Sequence, residues 1–209
     1  MNILVFGASG QTGRAVVREA LARGHSVSAF IRDAAKLSIA HTALRVIRGD
    51  VGDAAAIAQA LPGHDAVVST LGVGSPLAHD DVVINGVKTI LRAMQAANMR
   101  RLIYQSFIGV TESRAAVGFI LRFIAPLPLR HEIADHETKE ALIRASGLDW
   151  TIVRPPKLTN GPRSSGYRAG EDLTTWVPLP MLSRADVAHF IVGELETPKF
   201  VQKAPRLLQ

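Results

Sequence analysis

Three glycines, Gly7, Gly10 and Gly13, fall in the run FGASGQTGR between an apolar segment and a stretch with helical spacing. In a strand-turn-helix unit a first glycine permits the tight turn, a second lets a phosphate reach the backbone, and a third lets helix lie close on strand. The three positions suit those roles in order. A helix starting near Gln11 offers unpaired amide hydrogens and the positive end of its dipole to a pyrophosphate, and Ser9 and Thr12 add hydroxyl donors. The spacing is one residue wider than the common dinucleotide fingerprint; its weight comes from its place at the first strand-to-helix turn of an alternating chain. A glycine-rich turn without a ligand is the competing explanation. No Lys-Ser or Lys-Thr pair closes the glycines, which disfavours an NTPase phosphate loop.

Further polar positions follow at strand ends. Arg32, with Lys36 one turn on, falls where an adenosine ribose would lie, and a guanidinium prefers a 2′-phosphate to a ribose diol. Asp33 is read as a helix cap. The expectation is NADP(H) as the preferred cofactor, with NAD(H) possible and a solvated strand-end arginine as the alternative. In GDVGD, Asp50 is placed to accept from an adenine amino group and Val51 to lie on the ring, unless Asp50 is only a turn residue. Thr70, Leu71 and Gly72 form a small-residue loop after the fourth strand, and Gly72 lets backbone approach a ribose. Arg154 and the loop PPKLTNGP, with Pro155, Lys157 and Leu158, are expected to contact nicotinamide and substrate.

The elements that would hold these residues alternate. Strand-like runs recur at 2–6, 26–31, 43–47, 65–70, 101–106 and 150–154, apolar on both faces, with helical segments at 11–23, 33–39, 53–60, 80–98, 131–146 and 184–196. That pattern predicts a single α/β Rossmann-type domain over 1–209: a doubly wound parallel sheet with helices on both faces. A substrate-contacting loop runs from about 155 to 180, rich in Pro, Gly and Ser. The apolar run at 115–129 is broken by Arg122, Pro126 and Pro128 and is too short for a spanning helix of ~20 residues; a helix near 117–125 is expected to wall an acceptor pocket or join the core.

Composition removes several alternatives. No cysteine is present, which excludes a disulfide framework, a thiolate zinc site and a cysteine nucleophile. The histidines show no paired ligand spacing, so no metal is expected. The net charge of +6 is scattered, with no basic run longer than Arg100-Arg101, so a small anionic ligand is expected rather than nucleic acid or a membrane. Met1 leads directly into strand, no secretory signal is visible, and a cytoplasmic monomer or weak homodimer is expected.

The runs FGASGQTGR, IRDAAKL, GDV, QSFIGV, ADHETKEALIRASGLDWTIVRPPKLTNGP and RADVAHFI together resemble the atypical short-chain dehydrogenase/reductase superfamily. Within it the pattern is similar to the flavin reductases and biliverdin-IXβ reductases, with NmrA-like proteins as relatives. The resemblance covers essentially the whole chain. It implies a Rossmann domain without a large carboxyl-terminal lobe, an NADP complex, and hydride transfer to a flavin, quinone or other planar small molecule. Ser106 matches the serine of the flavin reductase pattern and Phe107 follows it beside the nicotinamide; His136 matches a histidine, and a histidine's ordinary pKa suits proton donation near neutrality. A backbone-bonded serine and a solvated helix face carrying Glu132, His136 and Glu140 are the alternatives. The superfamily's usual Tyr four residues before Lys is missing; Asp135 precedes Lys139 by four and takes the tyrosine's place. Alcohol oxidation by the usual route is therefore not expected. A non-catalytic cofactor sensor and a specialised biosynthetic reductase or cyclase remain as rivals.

Overall fold

Ile3 to Phe6 are apolar and buried without exception, as a strand covered on both faces requires. They form β1 (Asn2–Phe6) in a computed structural model that describes residues 1–72, 79–118, 122–123, 126–164 and 166–209. With β2 (Ser26–Ile31), β3 (Leu44–Arg48), β4 (Ala66–Ser69), β5 (Arg101–Gln105) and β6 (Asp149–Val153) it makes a parallel sheet in the order β3-β2-β1-β4-β5-β6. The order reverses between β1 and β4, so a crevice opens at their carboxyl ends, where open α/β sheets bind ligands.

Helix α1 (Gln11–Ala22) covers one face together with α5 (Arg184–Glu196), burying Val16, Val17 and Ala20 against Val187 and Ile191. On the other face α2 (Ala54–Ala60), α3 (Asp81–Ala96) and α4 (Pro126–Arg144) bury Ile57, Ile90, Met94 and Ile143 on Leu4, Val67 and Leu102. The predicted doubly wound architecture is the observed one. Asp33 caps a 3-10 turn at Ala34–Lys36 by accepting from Ala35 N (3.0 Å), and Asp53 caps α2 by accepting from Ala55 and Ala56.

Some local expectations need correction. β3 is an edge strand paired only with β2, so Arg45 and Val46 face solvent instead of lying between two helical layers. α4 starts at Pro126, five residues before the predicted 131. Pro126 and Pro128 end nothing there, because the first turn of a helix needs no amide donor. Of the helix expected near 117–125, residues 119–121, 124 and 125 lie outside the described ones; Val117 makes a β-bridge to Thr175. The loop expected over 155–180 holds two of the four short strands β7 (Lys157–Thr159), β8 (Arg168–Gly170), β9 (Met181–Ser183) and β10 (Arg206–Leu208). β7 pairs with β9 and β8 with β10. Three-residue strands are too short to show an alternating pattern. Among the described residues no helix is long and apolar enough to cross a membrane.

Candidate functional site

The glycine turn is built by close contact. Gly7 has φ +77°, and a Cβ there would come within 2.8 Å of the Thr70 backbone; a Cβ on Gly13 would overlap Gly7 O. Thr70 Oγ1 donates to Phe6 O (3.2 Å) and Gly7 O (3.3 Å), tying β4's end to the turn. Gly10 is different: it is the N-cap of α1 in ordinary extended geometry, is exposed, and brings no side-chain cap. Among the described residues none accepts a hydrogen bond from the amides of Gln11, Thr12 or Gly13. Those amides and the helix dipole fit a pyrophosphate. Two further polar atoms on the carboxyl ends of the strands, Ser69 Oγ and Gln105 Oε1, are buried without a hydrogen-bond partner. This donor and acceptor set suits a dinucleotide lying along the sheet edge.

Arg32 and Lys36 are exposed beyond the end of β2, and the exposed Asp33 carboxylate accepts from Ala35 N. Arg14, which pattern reading passes over, reaches from α1 to the same segment, Nη1 donating to Lys36 O at 3.4 Å. Asp50 is a turn residue, accepting from Gly52 N (2.8 Å), and Val51 is half-buried against Gly86.

A cavity of about 460 Å³ opens at the carboxyl ends of β4, β5 and β6. It gathers Thr70, Leu71 and Gly72 from the β4 side, Ser106 and Phe107 after β5, His136 from α4, and Pro155, Lys157 and Leu158 after β6. Ser9, Gly10, Arg32, Lys36, Asp50 and Val51 do not line it; they lie with the glycine turn on the β1-β2-β3 side of the same edge. The loop after β4 belongs to the run STLGVGSP at 69–76, of which residues 73–76 lie outside the described ones.

His136 is not on a solvated face: it is 5% exposed, and Glu140 is fully buried. Its Nδ1 lies 3.1 Å from Tyr104 Oη and 3.3 Å from Ser106 Oγ, and the Phe107 ring meets it edge-on at 5.0 Å. Burial, then the nearby Lys139 charge, pushes the imidazole well below its ordinary value, so near neutrality it is uncharged. Burial raises the Tyr104 phenol well above 10, so the phenol keeps its proton and shares a hydrogen bond with Nδ1. A neutral imidazole of this kind carries no imidazolium proton to give near neutrality. Tyr104 was legible as a partner: it precedes Ser106 by two on a strand, hence on the same face.

The protonation state has a stability consequence. An unfolded chain protonates His136 near its ordinary value while the folded one resists, so its contribution is whole above about pH 6.5 and declines below it by up to about 1.4 kcal/mol per pH unit. Urea midpoints measured at stepped pH should fall more shallowly in acid for His136→Gln than for the wild type.

Asp135 does not take a tyrosine's place in the cavity. Its carboxylate is 1% exposed, accepts from His79 Nδ1 (2.6 Å) and from Asp80 N (2.9 Å), and holds the α3 cap to α4. Lys139 is buried beside it, its amine without a hydrogen-bond partner among the described residues. The i, i+4 pair that reaches the cavity is Glu132 and His136. Arg154 also departs from the ligand contact expected of it, since it is fully buried, bonded to Glu140, Glu112 and Thr111, and does not line the cavity.

With this geometry in view, a family model described as NAD(P)H-binding matches residues 7–198. The chain is 35% identical over 153 residues to a (4-alkanoyl-5-oxo-2,5-dihydrofuran-3-yl)methyl phosphate reductase of Streptomyces griseus, covering 73% of this chain and 46% of that protein. The chain thus spans about half that relative's length. It is 28% identical over 224 residues to a 2-alkyl-3-oxoalkanoate reductase of Stenotrophomonas maltophilia, covering 95% of this chain and 67% of that one. A solved Rossmann-fold NAD(P)-binding family protein from Shigella flexneri superposes with TM-score 0.74 at 26% identity, covering 100% of this chain and 93% of the other.

Proposed function

This chain belongs to the NAD(P)H-binding family, and from that membership we propose that it is an NADPH-dependent reductase of a planar acceptor, a flavin, a quinone or a related small molecule. The single observation that carries this is the continuity of the sheet edge: a bare, uncapped helix start with three unpaired amides stands beside an apolar cavity bearing Ser106 and His136. The reduced nicotinamide, when bound, supplies hydride. The chain's own residues bind, orient and exclude water. The amides of Gln11, Thr12 and Gly13 hold the pyrophosphate. Arg32 and Lys36 take a 2′-phosphate, and the neighbouring Asp33 serves as a cap, one of its oxygens accepting from Ala35 N. Leu71, Phe107, Pro155 and Leu158 form the apolar walls, while Ser106 orients a carboxamide or carbonyl. The two relatives named as reductases support reduction as the chemistry.

The test mixes purified protein with NADPH and, in turn, FMN, riboflavin and menadione, following absorbance of the reduced cofactor. Oxidation with at least one acceptor is the expected result. Tight NADPH binding with no oxidation would favour a cofactor sensor instead, a reading to which the missing Tyr-Lys pair lends weight. Arg32→Ala should weaken NADPH by about tenfold or more relative to NADH, since a hydrogen bond to a charged group contributes about 1.5–3 kcal/mol. Equal losses for the two cofactors defeat the NADP assignment.

A further inference from the structure

Glu132 lies on α4 four residues before His136, so the two side chains leave one helix face, and both line the cavity. Much of the lining of that cavity is apolar, including Leu129 and Ile133 on the same helix, Ile108 after β5, Leu158 on β7, and Leu179. The uncharged polar groups at the cavity are poor proton sources, and Lys157, which also lines it, is exposed to solvent. His136 is a neutral imidazole, Ser106 is a hydroxyl beside its Nδ1, and the fully buried Tyr104 phenol on the same nitrogen does not line the cavity. Reduction of a carbonyl or quinone by hydride pushes an electron pair onto oxygen, and that oxygen must then take one proton.

We propose that Glu132 is the catalytic acid of this cavity and that the acceptor is therefore one that carries its reducible centre conjugated to a carbonyl oxygen. This rests on the reductase reading above and narrows it. As hydride forms the new bond to the acceptor, the carbonyl π bond breaks toward oxygen, the Glu132 O–H bond breaks, and the acceptor O–H bond forms. Two electrons and one proton are added to the acceptor along with the hydride's own hydrogen nucleus, and Glu132 is left as a carboxylate that regains its proton from water. The charged and titratable groups around it are Asp135, His136 and Lys139 on α4, His79 and Asp80 at the α3 cap, Tyr104 on β5 and Lys157 on β7. Burial raises the Glu132 carboxyl, Lys139 partly offsets that, and Asp135 adds to the rise. The carboxyl thus keeps its proton further toward neutrality than an ordinary glutamate.

The experiment measures kcat and KM for menadione reduction by NADPH across about pH 5 to 8, for wild type, E132Q and E132D. Wild-type kcat should fall as pH rises and the carboxyl ionises. E132Q should lower kcat by about a hundredfold with KM little changed and remove that pH dependence, while E132D keeps it. A second readout does not need turnover: in 13C-glutamate-labelled protein without ligands, the carboxyl signal that vanishes in E132Q should titrate above the ordinary glutamate value of about 4.3. E132Q that keeps both rate and pH dependence overturns the assignment, as does titration at or below the ordinary value. Absence of turnover by the wild type with any acceptor sinks the reductase reading itself and this assignment with it, whereas full turnover by E132Q sinks Glu132 alone.

Discussion

Gly10→Asp is expected to leave the chain within about 1 kcal/mol of the wild type's stability and almost unable to hold a dinucleotide. Gly10 has φ −72° and ψ 166°, which any L residue adopts, and a Cβ there would meet Gly7 O at 3.2 Å, a tight contact that the turn must relieve by a small shift and that offsets part of the gain from capping. Aspartate is among the preferred N-cap residues, and its carboxylate is favoured by the dipole at the start of α1; together these add about 0.5–1 kcal/mol. The same carboxylate would occupy the amides proposed for the pyrophosphate. Two like charges about 4 Å apart near a protein surface repel by about 4 kcal/mol, which is roughly a thousandfold in Kd. Gly13→Ala is the contrasting variant, since its Cβ would overlap Gly7 O and crowd Ala8 Cα, both backbone atoms that no rotamer change can move. It should lose about 1–3 kcal/mol of stability and its binding together. Thermal melts and calorimetric titration with NADPH and NADH separate the two. Undiminished affinity in Gly10→Asp would mean that no phosphate lies on the α1 amides.

What the sequence made legible, and what it hid, follows from the range of the forces involved. β1, β2, α1 and α5 are bounded to within a residue by their apolar patterns, because each signal is local: a short buried run, or side chains recurring at helical spacing. The capping by Asp33 and Asp53 was readable for the same reason. On α4 the pattern could not decide between two pairs at i, i+4, Glu132 with His136 and Asp135 with Lys139, because successive residues step about one hundred degrees around the helix and both pairs present groups able to move protons. Only the rotation of α4 against β5 and α3 settles that the first pair meets the cavity and that Asp135 of the second meets His79 and Asp80. Tertiary packing sets that rotation, and no spacing rule encodes it. Arg154 went astray for a related reason. A strand-end arginine on a ligand-binding rim reads as a contact to ligand unless the buried carboxylate that claims it, from a helix earlier in the chain, is known.

Arg154→Met is expected to cost about 3–5 kcal/mol in urea unfolding, the usual result of stranding one member of a buried ion pair. The Arg154 guanidinium is buried and donates through Nε to Glu140 Oε1 (3.1 Å), through Nη1 to Glu112 Oε1 (2.8 Å), and through Nη2 to Thr111 and to the second Glu140 oxygen. Glu140 is fully buried and, without Arg154, has Thr111 at 3.4 Å and Arg144 at 3.9 Å as its remaining contacts, which leaves a carboxylate out of water and poorly matched. Glu112 is 56% exposed and can turn to solvent, so it adds little to the loss. The double variant Arg154→Met with Glu140→Met removes both charges and should recover most of the stability, because apolar groups of similar volume replace a pair whose desolvation offsets much of its attraction. The network also joins two segments that build the cavity, the end of β6 leading to Pro155 and helix α4, to the turn at Thr111–Ala116, whose Thr111 sits at φ +49°. A β-branched residue in that left-handed region is itself strained by about 1–3 kcal/mol and stays there only while its surroundings hold it. Loosening them should disturb the acceptor side at Ser106 and Pro155 and spare the glycine turn across the sheet edge. In the single variant, studied at a temperature where it stays folded, NADPH affinity should therefore remain close to wild type while turnover drops. A double variant no more stable than Arg154→Met would show that the guanidinium holds the fold through its bulk and its bond to Thr111, and not through the buried charge it neutralises.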